Sequence, residues 1–542
     1  MTAPTSPAPR SSLAPLRVPA FRRIWIAQLG SNVGTWMQTV GAQWLLVTQP
    51  NATTLVALVQ AASLTPVLFL SLPAGVLADV VDRRQLMLWI SVAMAAIAGA
   101  LAWLTGADLD TPALLITITV LLGCAQALLN PAQQAVLPEL VERADIPAAS
   151  ALGGLSINVA RAVGPALAGV LVATSGAALV FALNAVSFLG MALAALLWRT
   201  APVAVERPER ALPALLAGGR YVRSAPAIRR LLLRSGLFVV PASALWALLP
   251  VVASDRLGLG SAGYGLLLGA LGAGSIAAAA VMGPIRRSVT PTALLAMGTV
   301  AFTLGTAVAA AATSAWVLAP VLVVAGAGWL AILATLNALL QLTLPPWVRA
   351  RGLATYMIVF LGGQGLASMA FGVIGTALGV PATLWLAAAA LVLSALSLRW
   401  WPVLSRTANL DRTPAVLGGS DGSWSVPNLV FEPDEDAGPV LVTVEYVVRP
   451  AEVARFLELM APLELSRRRT GASRWAVYRD ANAVDRFVEE FAVPSWDEHQ
   501  RQHNERLTGF DLEIHDAVFA VVENDPEVHH LLRLDPRRPP RD

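Results

Sequence analysis

The stretch Gly75-Val-Leu-Ala-Asp79-Val-Val-Asp82-Arg83-Arg84 sits between two long apolar runs and is the first charged cluster to separate them. A glycine and an aspartate closing one run, with paired arginines opening the next, describe a tight hairpin at a membrane surface. Gly75 would permit close helix approach. Asp79 would accept hydrogen bonds from the following turn or from a neighbouring helix N-terminus. Asp82 completes the charged cluster, and Arg83 and Arg84 would hold the hairpin on the cytoplasmic side.

The composition agrees with a chain that lives in lipid. Of 542 residues, 56% are hydrophobic and only 13% charged, with a mean hydropathy of +0.63. Soluble domains carry about 25% charged residues, so this is a polytopic membrane protein. All 38 basic residues are arginine, and the net charge is +3. Arginines concentrated in loops account for the basic pI, so nucleic acid is excluded as a partner. Membrane lipid and a small-molecule substrate are expected instead. Cys124 is the single cysteine, which rules out an intramolecular disulfide and argues against a thiolate metal site. Residues 1–20 are rich in Pro, Ala and Ser and read as a disordered cytoplasmic tail, not a cleaved signal peptide.

Twelve apolar spans of about 20 residues follow, each long enough to cross a bilayer core. They fall near 22–48, 53–78, 84–105, 112–136, 147–173 and 177–198, then 230–253, 262–283, 290–312, 315–342, 350–378 and 380–401. The expected fold is an all-α membrane protein with two six-helix bundles, residues 21–199 and 230–401, joined by a charged middle loop at 200–229. The bias of arginine toward alternate loops places both termini inside, in a bacterial inner membrane. A linker at 402–439 leads to a soluble α+β domain at 440–523, and 524–542 read as a disordered tail. Within that domain Val440–Val448, Arg474–Tyr478, Asp485–Val493 and Val518–Val522 read as strands. Helices are expected from Pro450 to about Arg469 and after Ser495, an N-cap. This β-α-β-β-α-β order is that of a ferredoxin-like fold.

These features resemble the major facilitator superfamily. The stretch at 75–84 is similar to its signature loop between spans two and three, G-x-L-A-D-R-x-x-R-R, with Val80 where the family carries a basic residue. Gly283-Pro-Ile-Arg286-Arg287, between spans eight and nine, resembles a decayed second copy. The C-terminal module resembles antibiotic-biosynthesis-monooxygenase domains, an extension found in the branch that includes enterobactin-type exporters. Asn130-Pro-Ala-Gln-Gln-Ala-Val-Leu-Pro138-Glu139-Leu and Asn158-Val-Ala-Arg161-Ala-Val-Gly164-Pro165-Ala-Leu-Ala-Gly169 carry the same likeness. It implies export by alternating access, with proton coupling and siderophores or hydrophobic antibiotics as the substrate class. Gly164, Pro165 and Gly169 match a span-five motif that the resemblance associates with exporters and with a hinge.

Arg161 is the residue expected to meet substrate. It lies near the middle of span five, where an ionisable group is a functional-site hypothesis. It would attract an anionic or catecholate substrate, or else bond helix carbonyls and Asn158 as a structural tie. Neutral polar residues form stripes at helical spacing: Gln28, Asn32, Thr35, Thr39 and Gln43 on span one, Gln126, Asn130 and Gln133 on span four, and Asn337 and Gln341 on span ten. Cavity lining and interhelical hydrogen bonding are equal readings for each stripe. The spans hold no carboxylate of the kind a proton antiporter needs, and no phosphate-binding G-x-x-x-x-G-K-[ST] loop occurs. Asp79 and Arg83 would stabilise one closure of the bundles. His499 and His503, four apart on a helix, have metal-like spacing, but the helix reads as a solvated face, so neither metal nor cofactor is expected. The module is expected to dimerise or dock on the transporter itself. An uptake permease and a membrane-anchored enzyme using residues 440–523 are the alternatives.

Overall fold

The computed structural model describes residues 13–198, 211–403, 431, 433–523 and 525–534. The expected tail at 1–12, the loop at 199–210, most of the linker and the tail at 535–542 lie outside the described residues. These fall into two compact units. One comprises the described parts of Met1–Pro208, Leu233–Leu336 and Ala354–Val403, and the other those of Glu209–Leu232, Asn337–Leu353 and Leu404–Asp542.

The helices of the membrane portion are α1 (Pro19–Leu46), α2 (Ala52–Leu64), α3 (Pro66–Val80), α4 (Arg83–Gly106), α5 (Pro112–Leu140), α6 (Ile146–Ser175) and α7 (Ala177–Leu197). They are followed by α8 (Ala211–Ser224), α9 (Pro226–Val251), α10 (Ser261–Ser288), α11 (Pro291–Ala311), α12 (Ala315–Thr343), α13 (Pro346–Met357), α14 (Gly363–Leu378) and α15 (Val380–Ser397). Among the described residues, eleven spans are long and apolar enough to cross a membrane. The remaining long helix is α1, 28 residues in length. Its polar stripe dilutes its hydropathy, which is why composition alone passes it over. Each expected span matches a helix or a helix pair: α2 and α3 together form the second, while α13, a π-helical turn at Ile358–Gly362 and α14 form the eleventh.

Pro226, inside the middle loop expected at 200–229, sits instead at the first position of α9, where its missing N–H costs nothing. The helix α8 was not expected at all. A duplicated plan is visible at two one-residue turns: Gly176 (φ 82°) joins α6 to α7, and Gly379 (φ 83°) joins α14 to α15. Both angles lie in the left-handed region that glycine tolerates.

The C-terminal module forms a four-stranded antiparallel sheet in the order β2-β3-β1-β4. Its elements are β1 (Val440–Val447), α16 (Val453–Thr470), β2 (Arg474–Arg479), β3 (Arg486–Val493), α17 (Trp496–Asn504), α18 (Gly509–Phe519) and β4 (Glu527–Leu532). The β-α-β-β-α-β order holds, with two helices in the second crossover. The closing strand does not. Val518 belongs to α18, whose start is fixed by a capping box between Thr508 and Asp511. The strand that pairs with β1 lies at 527–532, in the segment expected to be a tail. The inward residues of β1 (Val440, Val442, Val444 and Tyr446) are all buried against Phe456, Met460 and Leu463 of α16.

A buried ion pair crosses this core. Arg467 donates to Glu489 at 3.0 Å, and the Tyr446 hydroxyl and Trp475 indole donate to the same carboxylate at 2.8 and 2.9 Å. Arg467 also stacks over Phe491 at 4.6 Å. Every oxygen of the carboxylate is used, the condition under which a buried pair is tolerated. Removing one member alone would cost about 3–5 kcal/mol.

Candidate functional site: a guanidinium and an aromatic chain

Arg161 lies halfway along α6. It is partly buried, and its Nε and Nη1 atoms are fully enclosed with no hydrogen-bond partner among the described residues. Asn158 is not its tie, because the Asn158 amide donates to the Gly154 carbonyl of its own helix at 2.9 Å. What Arg161 does meet is the Trp36 ring of α1, 5.9 Å from its guanidinium carbon, within range of a cation–π contact.

Trp36 begins an aromatic chain. Its ring centroid lies 6.0 Å from Trp246 of α9, which lies 5.2 Å from Trp329 of α12. Trp329 in turn contacts Phe238, Phe302 and Phe360 at 5.5 to 5.6 Å. The indole nitrogens of Trp246 and Trp329 are buried without a partner among the described residues. A cation and two indole donors without partners among the described residues, set along an aromatic wall, form an environment suited to an anionic molecule with apolar or aromatic groups. The sequence reading found the arginine by its depth in the span but missed the tryptophans, which in an apolar run look like lipid-facing residues.

Two members of the polar stripes tie helices within the first six, and Gln43 accepts from the Tyr264 hydroxyl of α10 at 2.6 Å. Asn32 donates to Ser156 at 3.2 Å, and Gln28 approaches Gln133 at 3.5 Å. Gln126 donates to Asn130 at 2.7 Å on the same helix. Thr35, Thr39 and Gln126 also line a cavity of about 80 Å³ with Gln38, Thr119 and Asn184. Asn184 donates to Gln38. As the lone amide in an apolar span it was a signal available in the sequence and not used. Asn337 and Gln341 do not join this group: they belong to the second unit, where Gln341 donates to Asn337.

The signature loop differs in detail from the expectation. A side chain added at Gly75 would meet open space, so no helix approaches there. Asp82 caps α4 by accepting from the Gln85 N–H at 2.8 Å. Arg83 pairs with Glu139 of α5, and Arg84 donates to the α7 carbonyls of Ala195 and Leu196 at 3.1 and 2.8 Å. Cations at a helix C-terminus satisfy its free carbonyls. The Asp79 side chain lies outside the described residues. A second charge missed inside a span is Arg234 of α9, buried, which closes the end of α15 by donating to Ser397 and to the Trp401 carbonyl.

Gly164 and Gly169 are close-approach positions. A Cβ at Gly164 would lie 2.7 Å from Trp36, and one at Gly169 would lie 2.5 Å from the Ser261 carbonyl of α10. Across the same seam, a Cβ at Gly265 would lie 2.4 Å from the Pro165 carbonyl and one at Gly272 2.3 Å from the Ala162 Cα. The α2–α14 seam is similar, with Thr54 and Thr376 hydroxyls 2.7 Å apart. Both seams join the first six helices to the last six, toward the turns at Gly176 and Gly379. At the opposite ends, added side chains at Gly75, Gly153 and Gly283 would meet no neighbour.

The histidine pair also departs from expectation. His499 and His503 are buried, not solvated, with ring centroids 4.8 Å apart, and His530 lies 4.9 Å from His499. Among the described residues no group of three potential ligands has metal-binding geometry. Burial holds the His499 imidazole down at about 3, with His530 and Arg467 adding to the effect. Burial likewise holds His503 and His515 well below the ordinary range and lowers His530. Above pH 6.5 these rings are neutral whether folded or unfolded and contribute nothing to pH dependence. As pH falls below 6.5, the unfolded chain takes up protons that the folded module resists. Each imidazole then costs about 1.4 kcal/mol per pH unit until its folded value is reached. Protection factors of amides in β1 and β4 of the full chain, which correct for the intrinsic pH dependence of exchange, should therefore fall steeply between pH 6.5 and 4. Protection factors that stay constant over this window would show that the rings are not buried neutral.

Two packed sets of six helices, with tight seams at one end and a cationic aromatic centre, define a membrane transporter of the major facilitator type. The chain belongs to the family of transmembrane secretion effectors, whose profile matches residues 10–538. It is 30% identical over 328 residues to the enterobactin exporter EntS of Citrobacter koseri, covering 60% of this chain and 77% of that protein. To the staphyloferrin A transporter of Staphylococcus aureus it is 29% identical over 157 residues, 29% of this chain and 40% of the relative. A bacterial homologue of the human lysosomal transporter Spinster, inward-facing and unoccupied, matches 70% of this chain and 96% of its own with TM-score 0.58 at 14% identity. An inward-facing bacterial homologue of ferroportin matches 71% and 98% with TM-score 0.54 at 15% identity. At such identities these two structures show the fold alone.

Proposed function

We propose that this protein exports a small amphipathic anion of the siderophore class across the bacterial inner membrane by alternating access, with its termini in the cytoplasm. The observation that carries the reading is Arg161, a guanidinium on an aromatic wall at mid-span whose Nε and Nη1 have no partner among the described residues. An unpaired buried cation is expensive in lipid, and an anionic substrate would supply the missing partner. The names of the relatives, an enterobactin exporter and a staphyloferrin A transporter, support the substrate class.

Calorimetric titration of the purified protein tests the charge requirement. Carboxylate or catecholate siderophores should bind at least tenfold more tightly than their neutral esters or ethers. Equal affinity for both forms would remove Arg161 from the substrate site.

A further inference from the structure

The second unit contains more than the C-terminal module. It also holds α8, from the middle loop, and the segment 337–353 that connects the tenth span to the eleventh. Two side chains from different parts of the chain, Arg220 and Trp347, converge there on Glu498 and Arg506. The Glu498 carboxylate accepts from Arg506 at 2.7 and 3.0 Å, and from Arg220 of α8 at 3.1 Å. Arg506 stacks over Trp347 of α13 at 4.8 Å, and Trp347 meets Tyr221 of α8 edge-on at 5.6 Å. One turn earlier on α8, Gly218 lies against Arg351, 3.0 Å from where its Cβ would stand. Burial alone would push the Glu498 carboxyl up, but Arg506, Arg220 and Arg501 together hold it below the usual carboxylate range. It therefore stays charged at neutral pH.

What this contact grips is the first half of a broken span. Helix α13 runs from Pro346 to Met357, then passes through the π-helical turn at Ile358–Gly362 into α14. Such turns are local weak points in a helix and are common at functional sites. Beyond Trp347 the same helix carries Tyr356, which contacts Phe360 at 5.8 Å, and Phe360 contacts Trp329 of the aromatic chain. Swinging α13 about the π-turn would therefore disturb the aromatic chain that ends at Arg161.

We propose that the C-terminal module is a latch that holds α13 and α8 together through Glu498, Arg506, Arg220 and Trp347, and thereby brakes the transport cycle. The claim concerns regulation and rests on the transport reading above only for its rate measurement. The latch itself can be read without substrate.

The test uses the full chain in proteoliposomes, comparing wild type with Arg220→Ala and Trp347→Ala. Neither residue belongs to the module's own core, so its folding serves as an internal control through unchanged exchange in β1 and β3. Hydrogen exchange of peptides covering 211–224 and 346–357 should rise at least tenfold in both variants. The maximal rate of siderophore transport should rise severalfold at unchanged KM, and Arg220→Lys should restore most of the wild-type behaviour. Unchanged exchange in both variants would show that there is no latch, whatever the transport rate. Raised exchange with an unchanged or lowered rate would show that the contact does not brake transport. If wild type transports no siderophore while exchange still rises, the transport reading fails and the latch stands, but its role as a brake falls with that reading.

Discussion

Replacing Gly265 with leucine should stop transport while leaving the protein folded. The α6–α10 seam brings backbone against backbone: a Cβ at Gly265 stands 2.4 Å from the Pro165 carbonyl and 3.1 Å from the Gly169 nitrogen. No rotamer avoids this, because the clash begins at the first side-chain atom. The helices must part, and Ser261 then loses its 3.0 Å bond to the Gly169 carbonyl. Overpacking costs about 1–3 kcal/mol, or about 5- to 150-fold in the population of the closed seam. Clashes with backbone place this site at the upper end of that range. Initial efflux rates in proteoliposomes should fall about 100-fold for Gly265→Leu and by a smaller factor for Gly265→Ala, with both proteins purifying as folded monodisperse species. A wild-type rate for the leucine variant would mean that this seam does not need to close during the cycle.

The second large effect is expected at Arg161. Truncating one partner of a desolvated charge pair costs about 2–5 kcal/mol, about 30- to several-thousandfold in affinity. Arg161→Ala should lose siderophore binding by such a factor. Arg161→Lys should recover part of it, since lysine keeps the charge but lacks the planar fork that grips a carboxylate or catecholate. A separate readout distinguishes substrate contact from a structural tie. Because Nε and Nη1 have no protein partner among the described residues, the alanine variant removes an unpaired charge from the substrate-free protein. Its thermal midpoint without substrate should stay equal or rise. A lowered midpoint with normal binding would make Arg161 a structural residue.

The extent to which this architecture was legible follows from how strongly each element announces itself. Apolar runs of bilayer length are decided by local composition, so the spans were readable. α1 was recognised by its length and flanks even though Gln28, Asn32 and Gln43 dilute its hydropathy. Ser495 was readable because an N-cap is local: its hydroxyl accepts the Glu498 N–H at 3.2 Å. Arg161 was readable because depth in a span is a matter of counting.

What was hidden depends on partners far along the chain. Nothing near Arg83 indicates that Glu139, on a different helix, will pair with it. Arg234 looks like the edge of a basic loop until Ser397 and Trp401 are brought beside it. The strand at 527–532 reads Glu-Val-His-His-Leu-Leu, without a clean apolar–polar alternation, whereas Val518–Val522 is an apolar run. The Thr508–Asp511 capping box, which commits the earlier run to a helix, outweighs that run's strand propensity. The helix carrying His499 and His503 reads as solvated because it is rich in Glu, Gln and Arg. The ion pairs made by Glu498 allow that polar face to be buried.

The direction of transport is read most directly in right-side-out membrane vesicles. Right-side-out membrane vesicles carrying the protein would be loaded with a radiolabelled siderophore, and its retention followed against vesicles lacking the protein and vesicles carrying Arg161→Ala. Export through the Arg161 site predicts rapid loss from wild-type vesicles and slow, matching retention in the other two. Accumulation of external siderophore by wild-type vesicles, or loss that is equally fast with Arg161→Ala, would contradict it.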